Sequence, residues 1–307
     1  MVAMSAGKRP VAGVELGGTK CVAVLGTGPD DVRDEVRIPT TTPDETLGRL
    51  ADVLAGWSAS GEISAVGVAS FGPLQMDPAA PDHGRIVRTP KPGWSGADLT
   101  RLMIPDRPFA MDTDVTGAAL AEARWGRAQG LASHIYITVG TGVGVGIIVN
   151  GSAVAGLGHS EAGHLRVGRL AADTWPGACA FHGDCVEGLA SGAALAARLG
   201  QSAEILSETD PVWETVVHAL AGLMHNLVLT ATPQRILLGG GVVTGKSWLL
   251  TRLREALVES LAGYAHAEAL DMVQFLQSPG LGDRAGPMGA LALGLESMDK
   301  VSCRSAQ

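Results

Sequence analysis

A chain of 307 residues is long enough for two ordinary domains or one large α/β unit, and 46% hydrophobic against 18% charged residues gives it a sizeable core and excludes the disordered class. Its 23 Lys and Arg against 31 Asp and Glu leave a formal charge of -8, which repels phosphate backbones and argues against nucleic acid as a partner. Cys21, Cys179, Cys185 and Cys303 are too few for a disulfide-dense secreted scaffold.

Residues 1–10 carry charges and no apolar h-region, so they are expected to be a tail rather than a signal peptide. Val11–Gly26 (VAGVELGGTKCVAVLG) reads as two β-rich runs around a glycine tip, which is a hairpin. Pro43–Ser58 has helical periodicity, and Ile63–Ala69 and Phe109–Asp112 read as buried strands. Pro78–Pro92 is proline-rich and expected to be a loop. Val115–Trp125 is Ala-rich and helical. Ile135–Gly151 (IYITVGTGVGVGIIVNG) repeats the first hairpin's device, which suggests two related halves. Helices are expected over Val186–Leu199 and Val212–Thr230, then a strand Arg235–Leu238 ending in Gly239, Gly240 and Gly241. A helix near Trp248–Leu261, a strand Met272–Gln277 and a last helix Pro287–Met298 complete the chain. The apolar stretch 212–232 is interrupted by Glu214, His218, His225 and Asn226, so it reads as a buried helix rather than a membrane span. No membrane partner and a cytoplasmic location are therefore expected.

Strands alternating with helices point to α/β layers. The expected division is a tail over 1–10, an α/β domain over 11–117 and a larger α/β domain over 118–286. The last helix, about 287–298, returns to the first domain, and 299–307 form a tail.

Three glycine segments bear on phosphate: Gly17-Gly18-Thr19, Gly140-Thr141-Gly142 and Gly239–Gly241. Glycine lets backbone N–H groups approach an anion without a Cβ clash, and Thr adds a hydroxyl. Each alone could be an ordinary tight turn. None has Walker spacing. Together, two hairpins and a glycine-rich edge form the layout of actin-like and hexokinase-like ATPases.

His164, Cys179, His182 and Cys185 form H-x14-C-x2-H-x2-C. Thiolate and imidazole ligands at this spacing suit tetrahedral zinc, with one short loop supplying three of the four. With every position filled by protein, the metal is structural. The same residues could instead be ordinary loop and core positions, and the acidic charge opposes a nucleic-acid finger.

VELGGTK at Val14–Lys20, TPKPGW at Thr89–Trp94, MDTDV at Met111–Val115, YITVGTGVGVG at Tyr136–Gly146 and FHGDCVEGLASG at Phe181–Gly192 together resemble the ROK sugar kinases, in particular the fructokinase branch, over roughly residues 11–295. Glu15, where the family usually has Asp, is typical of that branch. The resemblance implies a two-domain, ribonuclease H-like ATPase fold and a homodimer. It implies ATP-dependent phosphorylation of a free hexose at the 6-hydroxyl, D-fructose first, with mannose, glucose or an N-acetylhexosamine as alternatives.

On residue type alone Asp114 is a helix N-cap; the resemblance makes it the general base that takes the hydroxyl proton. The family often has Asn two residues further on, where this chain has Thr116. Glu161, His164 and Glu187 match groups that hold sugar hydroxyls, although a lone Glu is most often a solvated surface residue. His164 would then serve zinc with one ring nitrogen and sugar with the other. Glu15 is expected to orient Mg2+ brought with ATP, a hard ion held by few carboxylates and several waters. A sugar-sensing regulator of the same family would need a DNA-binding module, and about ten residues precede Val11, too few for one. A sugar-binding protein without catalysis is the third reading, opposed by Asp114 and both hairpins.

Overall fold

The computed structural model describes residues 10–61, 63–264 and 270–304, and side chains as far as residue 300. Most of the tail expected over 1–10 and the last three residues lie outside this range.

The chain opens on a meander. β1 (Val11–Leu16) and β2 (Lys20–Gly28) pair antiparallel around Gly17–Thr19, and β3 (Asp31–Pro39) pairs antiparallel with β2. β3 was not expected from the sequence. It is an edge strand reading DVRDEVRIP, and only Ile38 on it is buried, so apolar alternation is nearly absent. α1 (Pro43–Ala59) starts at Thr42, whose hydroxyl caps Glu45 N. β4 (Val66–Ser70) and β5 (Phe109–Thr113) add on the other side of β1, both parallel to it, giving the order β3-β2-β1-β4-β5.

α2 (Asp114–Trp125) follows β5 directly. The second sheet repeats the plan. β6 (His134–Val139), β7 (Val143–Val149) and β8 (Ser152–Ala153) form the meander. A long loop leads to α3 (Val186–Ala190) and α4 (Gly192–Leu199), and then to α5 (Val212–Ala231). β9 (Ile236–Gly239), α6 (Ser247–Leu261), α7 (Met272–Phe275) and β10 (Leu276–Gln277) follow. β9 and β10 run parallel beside β6, giving β10-β9-β6-β7-β8. Each strand of the first sheet thus has a counterpart in the second, in the same order and sense.

Two local expectations change. The single helix expected over Val186–Leu199 is two helices, because Ser191 is extended and its hydroxyl caps Ala194 N. Most of the strand expected at Met272–Gln277 is a helical turn, because Asp271 caps Val273 N and Gln274 N.

The last helix, α8 (Ala285–Arg304), is longer than the sequence suggested and runs through residues expected to form a tail. It packs on β1, β4 and α2. The approach is backbone to backbone: a Cβ on Gly67 or Gly289 would collide with main-chain atoms of α8 or α2 respectively. Two compact units result. One runs through Gln129 and takes in Ala155–His159 and everything from Asp283; the other comprises Gly130–Val154 and Ser160–Gly282. The division falls after Gln129 rather than near Gly117, because α2 packs chiefly on α8, which itself lies on the first sheet.

The first unit's core gathers Leu16, Leu25, Leu47, Leu50, Val68 and the fully buried Trp94. The second gathers Ile135, Ile137, Trp213, Val216, Leu238 and Leu253. Fully burying side chains of this size stabilises by roughly 1.5–3 kcal/mol each. α5 is long and apolar enough to cross a bilayer by composition, yet 61% of its most apolar window is buried within the protein.

Candidate functional site

The groups singled out in the sequence fall into two sets, one in each unit. In the first, Gly17–Thr19 tip the β1–β2 hairpin, and all three are exposed or half-exposed. Gly17 N donates to Lys20 O at 3.1 Å, closing the turn, and Thr40 Oγ1 donates to Gly17 O at 2.8 Å. The Lys91 ammonium of the TPKPGW segment donates to Gly18 O. Trp94 anchors that segment by donating its indole N–H to Thr41 O at 3.0 Å and stacking edge-on against Phe71. Lys91 was not singled out in the sequence; its only signal there was a cation held between two prolines.

Glu15 leaves β1 with its carboxylate against Gly286, in the first turn of α8, where a Cβ would overlap it. Burial chiefly, then the Asp114 carboxylate, push Glu15 up from 4.5 to about 7, against the opposing pull of Lys20 and Arg37. Asp114 is the first residue of α2. The cap is Thr113, whose Oγ1 accepts from Thr116 N at 3.2 Å, so Asp114 is not the N-cap residue. Thr116 spends its hydroxyl on Thr113 Oγ1 at 2.8 Å. Asp112 is also pushed up, chiefly by burial. Three carboxylates thus share the C-terminal end of the first sheet and the start of α2.

In the second unit, Gly140–Gly142 tip the β6–β7 hairpin, and Gly140 O accepts from Gly192 N at the start of α4, at 2.7 Å. Gly239–Gly241 end β9 beside it: Gly240 has φ 94°, and a Cβ there would strike the backbone of Val139. The two glycine segments are neighbours because β6 and β9 are paired in parallel.

His164, Cys179, His182 and Cys185 converge, with their donor atoms within 4.8 Å of one another. Cys179 Sγ lies 3.6 Å from His164 Nδ1 and 3.7 Å from His182 Nδ1, and Cys185 Sγ lies 3.5 Å from His164 Nδ1. Tetrahedral zinc with usual Zn–S and Zn–N lengths places S and N ligands about 3.6 Å apart, so the residues fit that metal. Burial chiefly, with Cys179 and Glu187 adding to it, pushes the Cys185 thiol up to about 11, so at neutral pH a metal must displace its proton.

The loop holding the cluster is itself pinned. Arg169 bonds Asp184 at 3.0 Å and the carbonyls of Asp173 and Trp175. Burial works against the Asp173 charge, but donors on Arg198, Trp175 N and Thr215 prevail and hold it down at about 2. With Nδ1 on the cluster, His164 turns Nε2 to within 3.9 Å of Glu161 Oε2. Glu187 accepts from Val143 N through Oε2 at 3.1 Å and sets Oε1 4.0 Å from His164 Nδ1. Glu161, His164 and Glu187 are therefore one group, and Glu187 ties the cysteine loop to the second glycine hairpin.

The chain belongs to the ROK family, whose profile matches residues 11–297. A fructokinase from Zymomonas mobilis is 38% identical over 94% of this chain and 97% of its own length. A fructokinase from Pediococcus pentosaceus is 36% identical over 91% and 96%. The ROK hexokinase from Thermus thermophilus superposes with a TM-score of 0.75 at 27% identity, covering 95% of this chain and 99% of its own. The two α/β units are those of the two-domain, actin-like ATPase fold of ROK hexokinases.

Proposed function

We propose that the protein transfers the terminal phosphoryl group of ATP to the 6-hydroxyl of D-fructose. The observation that carries this reading is the full-length similarity to fructokinases at 34–38% identity. The arrangement of Glu161, His164 and Glu187 supports it, since two carboxylates and an imidazole nitrogen suit the hydroxyls of a polyol.

Phosphoryl transfer needs positioning, charge neutralisation and a proton acceptor. Asp114, at the first turn of α2, accepts the proton of the 6-hydroxyl. The N–H groups of Gly17–Thr19, Gly140–Gly142 and Gly239–Gly241 meet the nucleotide's phosphates. Mg2+ accompanies the nucleotide and supplies charge neutralisation. Glu15 suits that cation, because it is a partly buried oxygen donor destabilised by the charge of Asp114. His164, Cys179, His182 and Cys185 would hold zinc, which would supply rigidity; with Nδ1 of His164 given to the metal, Nε2 would be left to face the sugar. A homodimer in the cytoplasm, without nucleic-acid or membrane partners, completes the reading.

The test is ADP release with a panel of fructose, mannose, glucose and N-acetylated hexosamines. Fructose should give the highest kcat/KM. A sugar whose hydroxyls do not match leaves one of these polar groups without its partner, worth roughly 1–3 kcal/mol, so the other sugars of the panel should fall by about tenfold or more. A tenfold preference for glucose or an N-acetylated sugar refutes fructose but keeps the kinase. Sugar binding without ADP release from any sugar leaves a sensor.

A further inference from the structure

None of the four polar interruptions of α5 has a part in the reaction proposed above. Glu214 pairs with Arg252 at 2.6 Å. His218, His225 and Asn226 instead line one pocket of about 610 Å3, together with Arg166 and with Glu259 and Ser260 of α6. That volume lies in the range of small-molecule sites.

The chemistry of the lining is directional. Arg166 is exposed, and among the described residues its guanidinium makes no hydrogen bond or ion pair; its charge acts on Asp184 only at longer range, the direct partner of that carboxylate being Arg169. His218 donates Nε2–H to Gly168 O at 2.8 Å, and His225 Nδ1 meets Ser260 Oγ at 3.0 Å, so each ring is oriented and keeps one nitrogen for a ligand. A permanent guanidinium fork beside two imidazoles and an amide suits a phosphate monoester. Glu259, of opposite sign, suits hydroxyls. We propose that this pocket binds a phosphorylated sugar, and that occupancy changes affinity for the acceptor sugar.

The route for the second effect is short. Leu165 alone separates Arg166 from His164, and Leu165 O accepts from Val186 N at 3.0 Å, one residue before Glu187. Val167 packs against Gly222 of α5, where even a Cβ would meet it at 3.0 Å. A ligand that draws Arg166 towards α5 therefore pulls on the backbone carrying His164 and Glu187. This coupling rests on those two residues holding the acceptor sugar; the binding does not.

The test is calorimetric titration of the intact, zinc-loaded protein, saturated with fructose, with glucose 6-phosphate and separately with inorganic phosphate. The wild type should bind one glucose 6-phosphate per chain. Arg166→Gln should weaken both probes by at least about tenfold, while kcat and KM without them stay unchanged. Glu259→Ala should weaken glucose 6-phosphate and spare inorganic phosphate. Glucose 6-phosphate should shift the fructose Kd by the same factor by which fructose shifts its own. No saturable binding at millimolar concentrations, or binding indifferent to Arg166→Gln, overturns the site. Arg166-dependent binding with an unshifted fructose Kd overturns the coupling. Failure of fructose turnover in the wild type would count against the catalytic reading alone, since Arg166-dependent binding is measured without turnover.

Discussion

Replacing Glu15 with Gln removes a charge that the folded protein holds at a cost. Burial first, and the neighbouring Asp114 second, carry its carboxyl from 4.5 to about 7. The folded chain therefore binds this proton more tightly than the unfolded chain. The penalty is absent below about pH 4.5, grows as pH rises, and is complete above about pH 7. The span corresponds to about 3 kcal/mol. Glutamine keeps the shape and never ionises. Urea unfolding of nucleotide-free wild type and Glu15→Gln, followed by circular dichroism from pH 4.5 to 8, should show the variant gaining on the wild type by about 3 kcal/mol across that range. The difference between the two curves isolates Glu15 from Asp112 and Glu296, which are also pushed up and are common to both. Adding Mg2+ with a non-hydrolysable ATP analogue should stabilise the wild type more than the variant at pH 8, because a cation supplies what the ionised carboxylate lacks. Parallel pH curves for the two proteins would refute the electrostatic account of Glu15.

Asp114→Asn should keep the fold and ATP binding and lower turnover on the order of 10²–10⁴-fold; near wild-type kcat in the folded variant removes Asp114 as the base. The purified protein should carry about one zinc per chain by elemental analysis, and Cys179→Ser or Cys185→Ser should lower zinc content, Tm and fructose affinity together. Active, unchelated protein without zinc contradicts the metal assignment. Glu161→Gln and Glu187→Gln should raise KM for fructose about tenfold or more and change KM for MgATP little; equal effects on both substrates would place these residues elsewhere in the reaction.

The two glycine hairpins were legible because β-branched runs on both sides of a glycine tip have few other solutions. β3 was not, since an exposed edge strand of alternating charge carries no burial signal. The break at Ser191 was hidden for a different reason. Ala and Leu continue helically on both sides, and only the cap on Ala194 N shows that the serine ends one helix and starts another. α8 could be recognised as a helix that returns to the first domain, but its seat against β1, β4 and α2 depends on glycines in three other elements.

The cysteine–histidine cluster was readable because three of its four members lie within seven residues, where spacing constrains geometry. The groups around it were not, because their roles arise from contacts distant in sequence. Lys91 reaches Gly18 across 73 positions, and Glu187 reaches Val143 across 44. The second contact changes what Glu187 can do. One of its oxygens is committed to the Val143 amide, so it offers a hydroxyl mainly the other, and its removal should disturb the glycine hairpin as well as sugar binding. Glu161 is more exposed, and its Oε2 stands 3.9 Å from His164 Nε2. Loss of stability should therefore accompany Glu187→Ala and not Glu187→Gln, whose amide oxygen can still accept from Val143 N, while both weaken fructose use. Thermal melts of the two variants separate the hold of Glu187 on the substrate from its hold on the loop. Equal melting temperatures would show that the Val143 contact contributes nothing the hairpin needs.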